Sequence, residues 1–135
     1  MVPGRRWQPA FCVALFLVLL SSGSITTAAE ADCRVQLVQG WHTGAGTATI
    51  TMKNTGKPCG GALYTLPQTK VGVDKITVIS PPKDGVVVLD VPKFGYTPNP
   101  GFFGDDRFEL SAEGPAGPKA GRITLRGTVF VRVEP

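Results

Sequence analysis

The sequence predicts an all-β sandwich of about seven to nine strands, and three observations support this fold class. Apolar and polar residues alternate along several segments, which is the period of a strand with one buried face. After the N-terminal segment, no window carries apolar residues at the spacing of a helix face. Turn signals rich in Gly and Pro separate the alternating segments at short intervals, as is typical of sandwiches.

The longest alternating segment is residues 122–133, RITLRGTVFVRV. Its apolar row falls on one side, while Phe130 falls with Arg126 and Arg132 on the other. Gly127 interrupts the apolar row, which predicts a bulge or a tight bend. Further strands are predicted at 34–39, 47–53, 75–80, 85–91, 93–96 and 107–112, and an exposed hairpin loop at 113–121.

Residues 1–29 have the layout of a cleaved secretory signal peptide. A pair of arginines precedes an unbroken apolar run from Ala10 to Leu20, and small residues follow it. The run is shorter than the roughly 20 apolar residues that span a bilayer. Cleavage after Ala29 or Ala31 would leave one domain, residues 30–135, in the periplasm or outside the cell.

Net charge gives no reason to expect nucleic acid as a partner. The chain has 14 Lys and Arg residues against 10 Asp and Glu residues, a formal charge of +4. Arg5 and Arg6 leave with the leader, so the mature domain carries about +2, without a basic run. We expect neither nucleic-acid binding nor membrane association once the leader is removed.

The cysteines predict one disulfide bond. Cys12 lies in the leader, so Cys33 and Cys59 remain in an oxidising compartment, where two thiols normally pair. Closing this loop of about 27 residues is worth roughly 3 to 4 kcal/mol in the chain-entropy estimate. A redox or metal pair is the alternative, but the C-x-x-C spacing is missing and His42 is the only histidine.

The segment YTPNPGFFGDDRF, residues 96–108, is interpreted as a connection between two strands. Pro98 removes a ladder donor and ends the first strand. Pro100-Gly101 fits the centre of a type II turn, and Gly104 can adopt another left-handed conformation. The carboxylate of Asp106 is well placed to accept hydrogen bonds from nearby backbone amides.

This segment resembles the Y-T-P-x-x-G-F-x-G-x-D-x-F signature of bacterial Ig-like, cadherin-like repeat domains. The matching residues are Tyr96, Thr97, Pro98, Gly101, Phe102, Gly104, Asp106 and Phe108. Those domains have a P-x-x-G turn before the signature, to which Pro81–Gly85 is similar. The resemblance implies an Ig-like antiparallel β-sandwich in a secreted or surface protein, with Asp106 organising a loop. A single domain and a disulfide both depart from the usual pattern of that family.

The sequence predicts no enzyme, no cofactor and no metal site. Asp105 and Asp106 are neighbours on a strand and point apart, whereas a glycosidase pair faces a shared gap of roughly 5 to 10 Å. Asp84 and Asp90 lie too far along the chain to complete a calcium loop with them. His42 has neither a G-x-S-x-G serine nor a free thiol to activate.

Binding is therefore the expected activity. Phe130, with Arg126 and Arg132 on the same face, forms one candidate contact surface, and Trp41 beside His42 forms a second. A single apolar residue on a polar face is also common without any role, and a neighbouring loop could cover it.

Two hypotheses follow about the partner. The first is a non-catalytic periplasmic or secreted domain that binds an envelope or extracellular protein, or that helps to assemble a surface structure. The alternative is a carbohydrate-binding module for cell-wall or capsular glycan. That alternative requires an exposed aromatic platform, for which the available residues are Trp41, Tyr64, Phe103 and Phe130.

Overall fold

A computed structural model describes residues 3–4, 31–38 and 40–135 of the chain. The predicted signal peptide, apart from residues 3 and 4, lies outside the described residues. No helix in the described part is long and apolar enough to cross a bilayer. The strands are β1 (Cys33–Val38), β2 (Gly46–Lys53), β3 (Cys59–Ala62), β4 (Tyr64–Leu66), β5 (Val71–Gly72), β6 (Lys75–Ser80), β7 (Gly85–Asp90), β8 (Lys93–Pro98), β9 (Gly104–Pro115) and β10 (Arg122–Glu134).

The predicted all-β sandwich is confirmed. One sheet has five strands in the order β1-β2-β10-β9-β6, and a second has three in the order β3-β8-β7. The strands β4 and β5 form a separate two-stranded sheet. The described strands number ten instead of seven to nine, because β3, β4 and β5 are too short to display a hydrophobic period.

The sheets are not wholly antiparallel, which corrects the sequence-based expectation. The last strand, β10, runs antiparallel to β9 but parallel to β2. The bulge predicted at Gly127 does not occur, because Gly127 pairs in regular register with Leu110 and with Gly46. The predicted hairpin loop is also shorter than expected, since β9 continues to Pro115 before the chain turns back.

The core lies between the five-stranded and the three-stranded sheet. Inward residues of β2, β9 and β10 alternate with outward polar residues, so each long strand buries one face. Phe108 of β9 stacks on Tyr96 with ring centroids 6.1 Å apart, and it meets Phe94 edge-on at 6.3 Å. Both partners lie on β8, so aromatic packing joins the two sheets.

Cys33 and Cys59 form the predicted disulfide, with their Cα atoms 5.6 Å apart. Cys33 begins β1 of the five-stranded sheet, and Cys59 begins β3 of the three-stranded sheet. The covalent link therefore closes the sandwich along the side where these two edge strands lie next to each other.

Trp41 is a core residue. It lies in a 3₁₀ turn, Trp41–Thr43, with only 6% of its surface exposed, and its Nε1–H donates to the Thr47 carbonyl over 3.2 Å. Its indole packs against the backbone of Gly46 and Gly127, where an added Cβ would lie 2.5 and 2.9 Å from the nearest indole atom. The glycine in the apolar row of β10 therefore makes room for the β2 backbone at Gly46 and for the Trp41 ring.

We expect Gly127→Ala to destabilise the domain by about 1 to 3 kcal/mol, since the methyl group would lie 2.6 Å from the Gly46 carbonyl oxygen and 2.9 Å from the Trp41 ring. The matched control is Gly61→Ala, whose Cβ would meet only Val35 Cγ1 at an ordinary 3.5 Å. Urea unfolding followed by circular dichroism measures both changes. Equal stability of the two variants would contradict the packing role of Gly127.

Candidate functional site

The carboxylate of Asp106 is the most densely bonded polar group in the described part of the chain. Its Oδ1 accepts hydrogen bonds from the backbone N–H of Lys83 at 3.0 Å and of Arg107 at 2.9 Å. Its Oδ2 accepts from the N–H of Asp84 at 2.8 Å and from the Tyr96 hydroxyl at 2.9 Å. One carboxylate thus holds the turn before β7, the strand β8 and its own strand β9.

These contacts shift the ionisation of both partners. Partial burial acts to raise the pKa of Asp106, but the hydrogen bonds from Asp84, Lys83, Arg107 and Tyr96 outweigh it, and the pKa lies below its ordinary value. Burial first, and then the Asp106 carboxylate, raise the pKa of the Tyr96 hydroxyl well above its usual range. The pair therefore stays a phenol donating to a carboxylate across the pH range of most organisms.

The rest of the resembling motif shapes the connection between β8 and β9. The strand β8 ends at Pro98, and the N–H of Phe102 donates to the Asn99 carbonyl at 3.0 Å, closing a turn with Gly101 at φ 78°. The side chain of Asn54 donates from Nδ2 to the Asn99 carbonyl at 2.9 Å and to the Phe102 carbonyl at 3.1 Å. These contacts give the segment a structural role in joining β8 to β9.

We expect Asp106→Asn to lose about 1 to 3 kcal/mol of stability at neutral pH, because an amide NH₂ would face a backbone donor. A carboxylate whose pKa is lowered on folding stabilises above its unfolded pKa of about 3.9 and ceases to do so as the pH falls through the folded value. The difference in the free energy of unfolding between wild type and Asp106→Asn should therefore decrease below about pH 4.

The control for this comparison is Asp105→Asn, which removes an exposed contact to Arg132. Surface ion pairs of this kind contribute about 0 to 1 kcal/mol, so this variant should unfold close to wild type. Denaturant unfolding from pH 3 to pH 7 tests both. A constant gap for Asp106→Asn at all pH values would contradict the role given to its charge.

The neighbouring acidic residues Asp105 and Asp106 lie on opposite faces of β9. Asp105 is exposed and bonded to Arg132 on the outer face, whereas Asp106 is half-buried and points inward. Within residues 31–38 and 40–135 there is no group of three or more His, Cys, Asp or Glu side chains that could hold a metal ion.

Of the five predicted contact residues, the structure leaves four, including His42, on the surface and buries Trp41. Phe130 is 44% exposed on the outer face of the five-stranded sheet, with Arg107 directly opposite on β9. Arg126 and Arg132 are exposed on the same face. The prediction that Trp41 forms part of a surface patch is wrong, because its ring is buried in the core against Gly46 and Gly127.

The aromatic residues considered for glycan binding are spread over different elements. Phe103, before β9, and Phe130, on β10, are exposed, while Tyr64 of β4 is half-buried. Trp41 is withdrawn into the core.

The open edge of β7 is a feature that the sequence-based reasoning missed. The N–H of Asn99 donates to the Asp84 carbonyl at 2.8 Å, so this pair is hydrogen-bonded, and bonded pairs then alternate along β7 and β8. The next pair, Gly85 with Pro98, is a non-bonded one, which suits a proline without an N–H. The backbone groups of Gly85, Val87 and Leu89 therefore point away from β8, where the described sheet has no further strand.

Among the described sheet edges, β7 has the least protection against pairing. The edge strand β1 carries Arg34 and is disulfide-bonded to β3, itself only four residues long. The edge strand β6 carries Lys75 and a register shift between Val78 and Ser80. Residues 85–89 have no charge, no proline and no register shift.

The outer face next to this edge is also apolar. Val86 and Val88 point outward and are 60% and 45% exposed. Beside them, Gly60 and Gly95 pair across β3 and β8 and leave the floor of the surface without side chains. A strand that pairs with β7 could form hydrogen bonds with its outward backbone groups and could also contact the apolar side chains of Val86 and Val88.

Comparisons with protein-family models, curated proteins and solved structures return no match for this chain.

Amide exchange should report the alternation along β7 directly. We expect fast hydrogen exchange at Gly85, Val87 and Leu89, whose N–H groups face solvent, and slow exchange at Val86 and Val88, which bond to β8. Two-dimensional NMR in deuterated buffer measures each amide separately. Uniform protection along β7 would mean that the edge is covered.

Proposed function

We propose that the chain is a non-catalytic, periplasmic or secreted Ig-like domain that binds another protein through the edge of β7. The observation that carries this proposal is the row of outward backbone groups at Gly85, Val87 and Leu89, beside the exposed Val86 and Val88. A partner strand at such an edge gains main-chain hydrogen bonds, and alternate side chains supply specificity.

The occupant is an extended segment of a different protein. In an antiparallel pair of two copies that uses all three outward positions, Val87 would face its own counterpart and Asp84 would face Asp90. Like charges opposite each other destabilise a strand pair. A foreign segment with apolar side chains beside Val86 and Val88 avoids this repulsion.

Different observations support the proposed export of the protein and its proposed Ig-like fold. The leader-like N-terminus and the Cys33–Cys59 disulfide favour an oxidising compartment. If β2 to β10 are matched to the seven Ig strands, with β4 and β5 as an insertion, B, E and D share one sheet and C, F and G the other, as in Ig sandwiches. The first of these strands pairs with the last one, which is a variation on that arrangement.

The test is affinity capture with a variant that blocks only the edge. Residues 30–135 contain every described strand, so this domain is immobilised with its disulfide formed and exposed to detergent-solubilised envelope of its own organism. Leu89→Pro removes an outward N–H and leaves the bonds of β8 intact. We expect it to retain at least about fivefold less partner than wild type.

Phe130→Ala is the matched control, since it removes an exposed apolar side chain from the opposite sheet. It should retain the partner at the wild-type level. Partner loss in Phe130→Ala with retention in Leu89→Pro would move the interaction to the five-stranded sheet. Retention of glycan without protein would favour the carbohydrate-binding hypothesis instead.

A further inference from the structure

A cleft of about 720 Å³ opens between the two sheets, beside β1, the 3₁₀ turn and β4. Its inner wall includes Leu37, Trp41, Leu63 and Leu125. All four are apolar, and the last three also belong to the buried core. The cleft is thus a place where the interior of the sandwich reaches solvent.

The exposure of Leu37 is a second observation that indicates the cleft. It pairs with Ala48, whose side chain is fully buried, so Leu37 points between the sheets and not toward the outer face. Its side chain is nevertheless 46% exposed. The side chain of Leu37 therefore faces the cleft, which leaves it exposed although it points into the sandwich.

The side chains that line the cleft include no Asp, Glu, Lys or Arg. Such residues make up 18% of the whole chain. Burial of an ion without a partner costs several kcal/mol, so the cleft would reject a charged group. It accepts an apolar group, which removes both its own surface and that of Leu37 from water.

Three polar side chains at the rim have no hydrogen-bond partner within the described part of the chain. The imidazole of His42, the hydroxyl of Tyr64 and the amide of Gln68 line the cleft and bond to no described residue. Other polar groups of the lining are already satisfied, since Trp41 donates to the Thr47 carbonyl and the Thr65 hydroxyl to the Val71 carbonyl. The rim therefore offers both donors and acceptors.

We propose that this cleft is a binding site for a small, neutral amphiphile. Its apolar body lies against Leu37 and Trp41, and one or two hydroxyl, amide or ester groups reach His42, Tyr64 or Gln68. The volume falls within the roughly 300 to 1,000 Å³ of typical ligand pockets, which combine apolar walls with a few polar groups. The site shares no residue with the edge of β7, so it stands or falls independently of the proposed protein interaction.

The test compares two fluorescent probes that differ by one charge. N-phenyl-1-naphthylamine is neutral, and 1-anilinonaphthalene-8-sulfonate adds a sulfonate to the same ring system. The chain has two tryptophans, and Trp7 lies in the leader, so Trp41 is the single tryptophan of residues 30–135. Probe binding in the cleft is read as energy transfer from Trp41. We expect one neutral probe per domain, bound at least about tenfold more tightly than the anionic probe.

Leu37→Glu places a charge in the cleft at an exposed position, so the fold should tolerate it. We expect affinity for the neutral probe to fall at least about tenfold. Ile79→Glu is the control, because it adds the same charge to an exposed isoleucine on β6, away from the cleft, and should leave probe affinity unchanged. Equal affinities for the two probes, equal effects of the two variants, or no energy transfer from Trp41 would each overturn the proposal.

Discussion

The carboxylate of Asp106 couples the two sheets at the point where the chain enters β7. It lies on β9 of the five-stranded sheet and accepts hydrogen bonds from the turn before β7 and from Tyr96 on β8. These donors belong to the connection and to the strand next to β7, so the position of the β7–β8 hairpin depends on one half-buried charge. The open edge begins directly after this contact, because Lys83 and Asp84 precede Gly85 in the chain.

The long strands were predictable because their burial follows a period of two. In β10, the inward positions form an apolar row that only Gly127 interrupts, and the outward positions are mostly polar. The role of Asp106 as a hydrogen-bond acceptor also followed from local sequence, since aspartate after a turn commonly binds backbone amides. Local period and local turn chemistry together account for seven strands and for the connection around Asp106.

The remaining features depend on contacts between distant residues, which no local pattern contains. Trp41 was predicted on the surface because a loop tryptophan beside His42 looks exposed in the sequence. Its burial requires Gly46 and Gly127 to lie side by side, and they do so through the parallel pairing of β2 with β10. The edge of β7 is open, and Leu37 is exposed, because no other described element packs against them. This can be known only from the complete arrangement of the strands.

An unprotected strand edge carries a cost for any domain, because it can pair with any extended chain. This domain limits that cost at its other described edges with a disulfide, charged side chains and a register shift. At β7, Asp84 and Asp90 flank the uncharged residues 85–89. The two carboxylates oppose antiparallel pairing between two copies of the chain, but they leave the outward backbone groups between them accessible. Protection against self-association combined with an accessible edge is the arrangement that binding of a different chain requires.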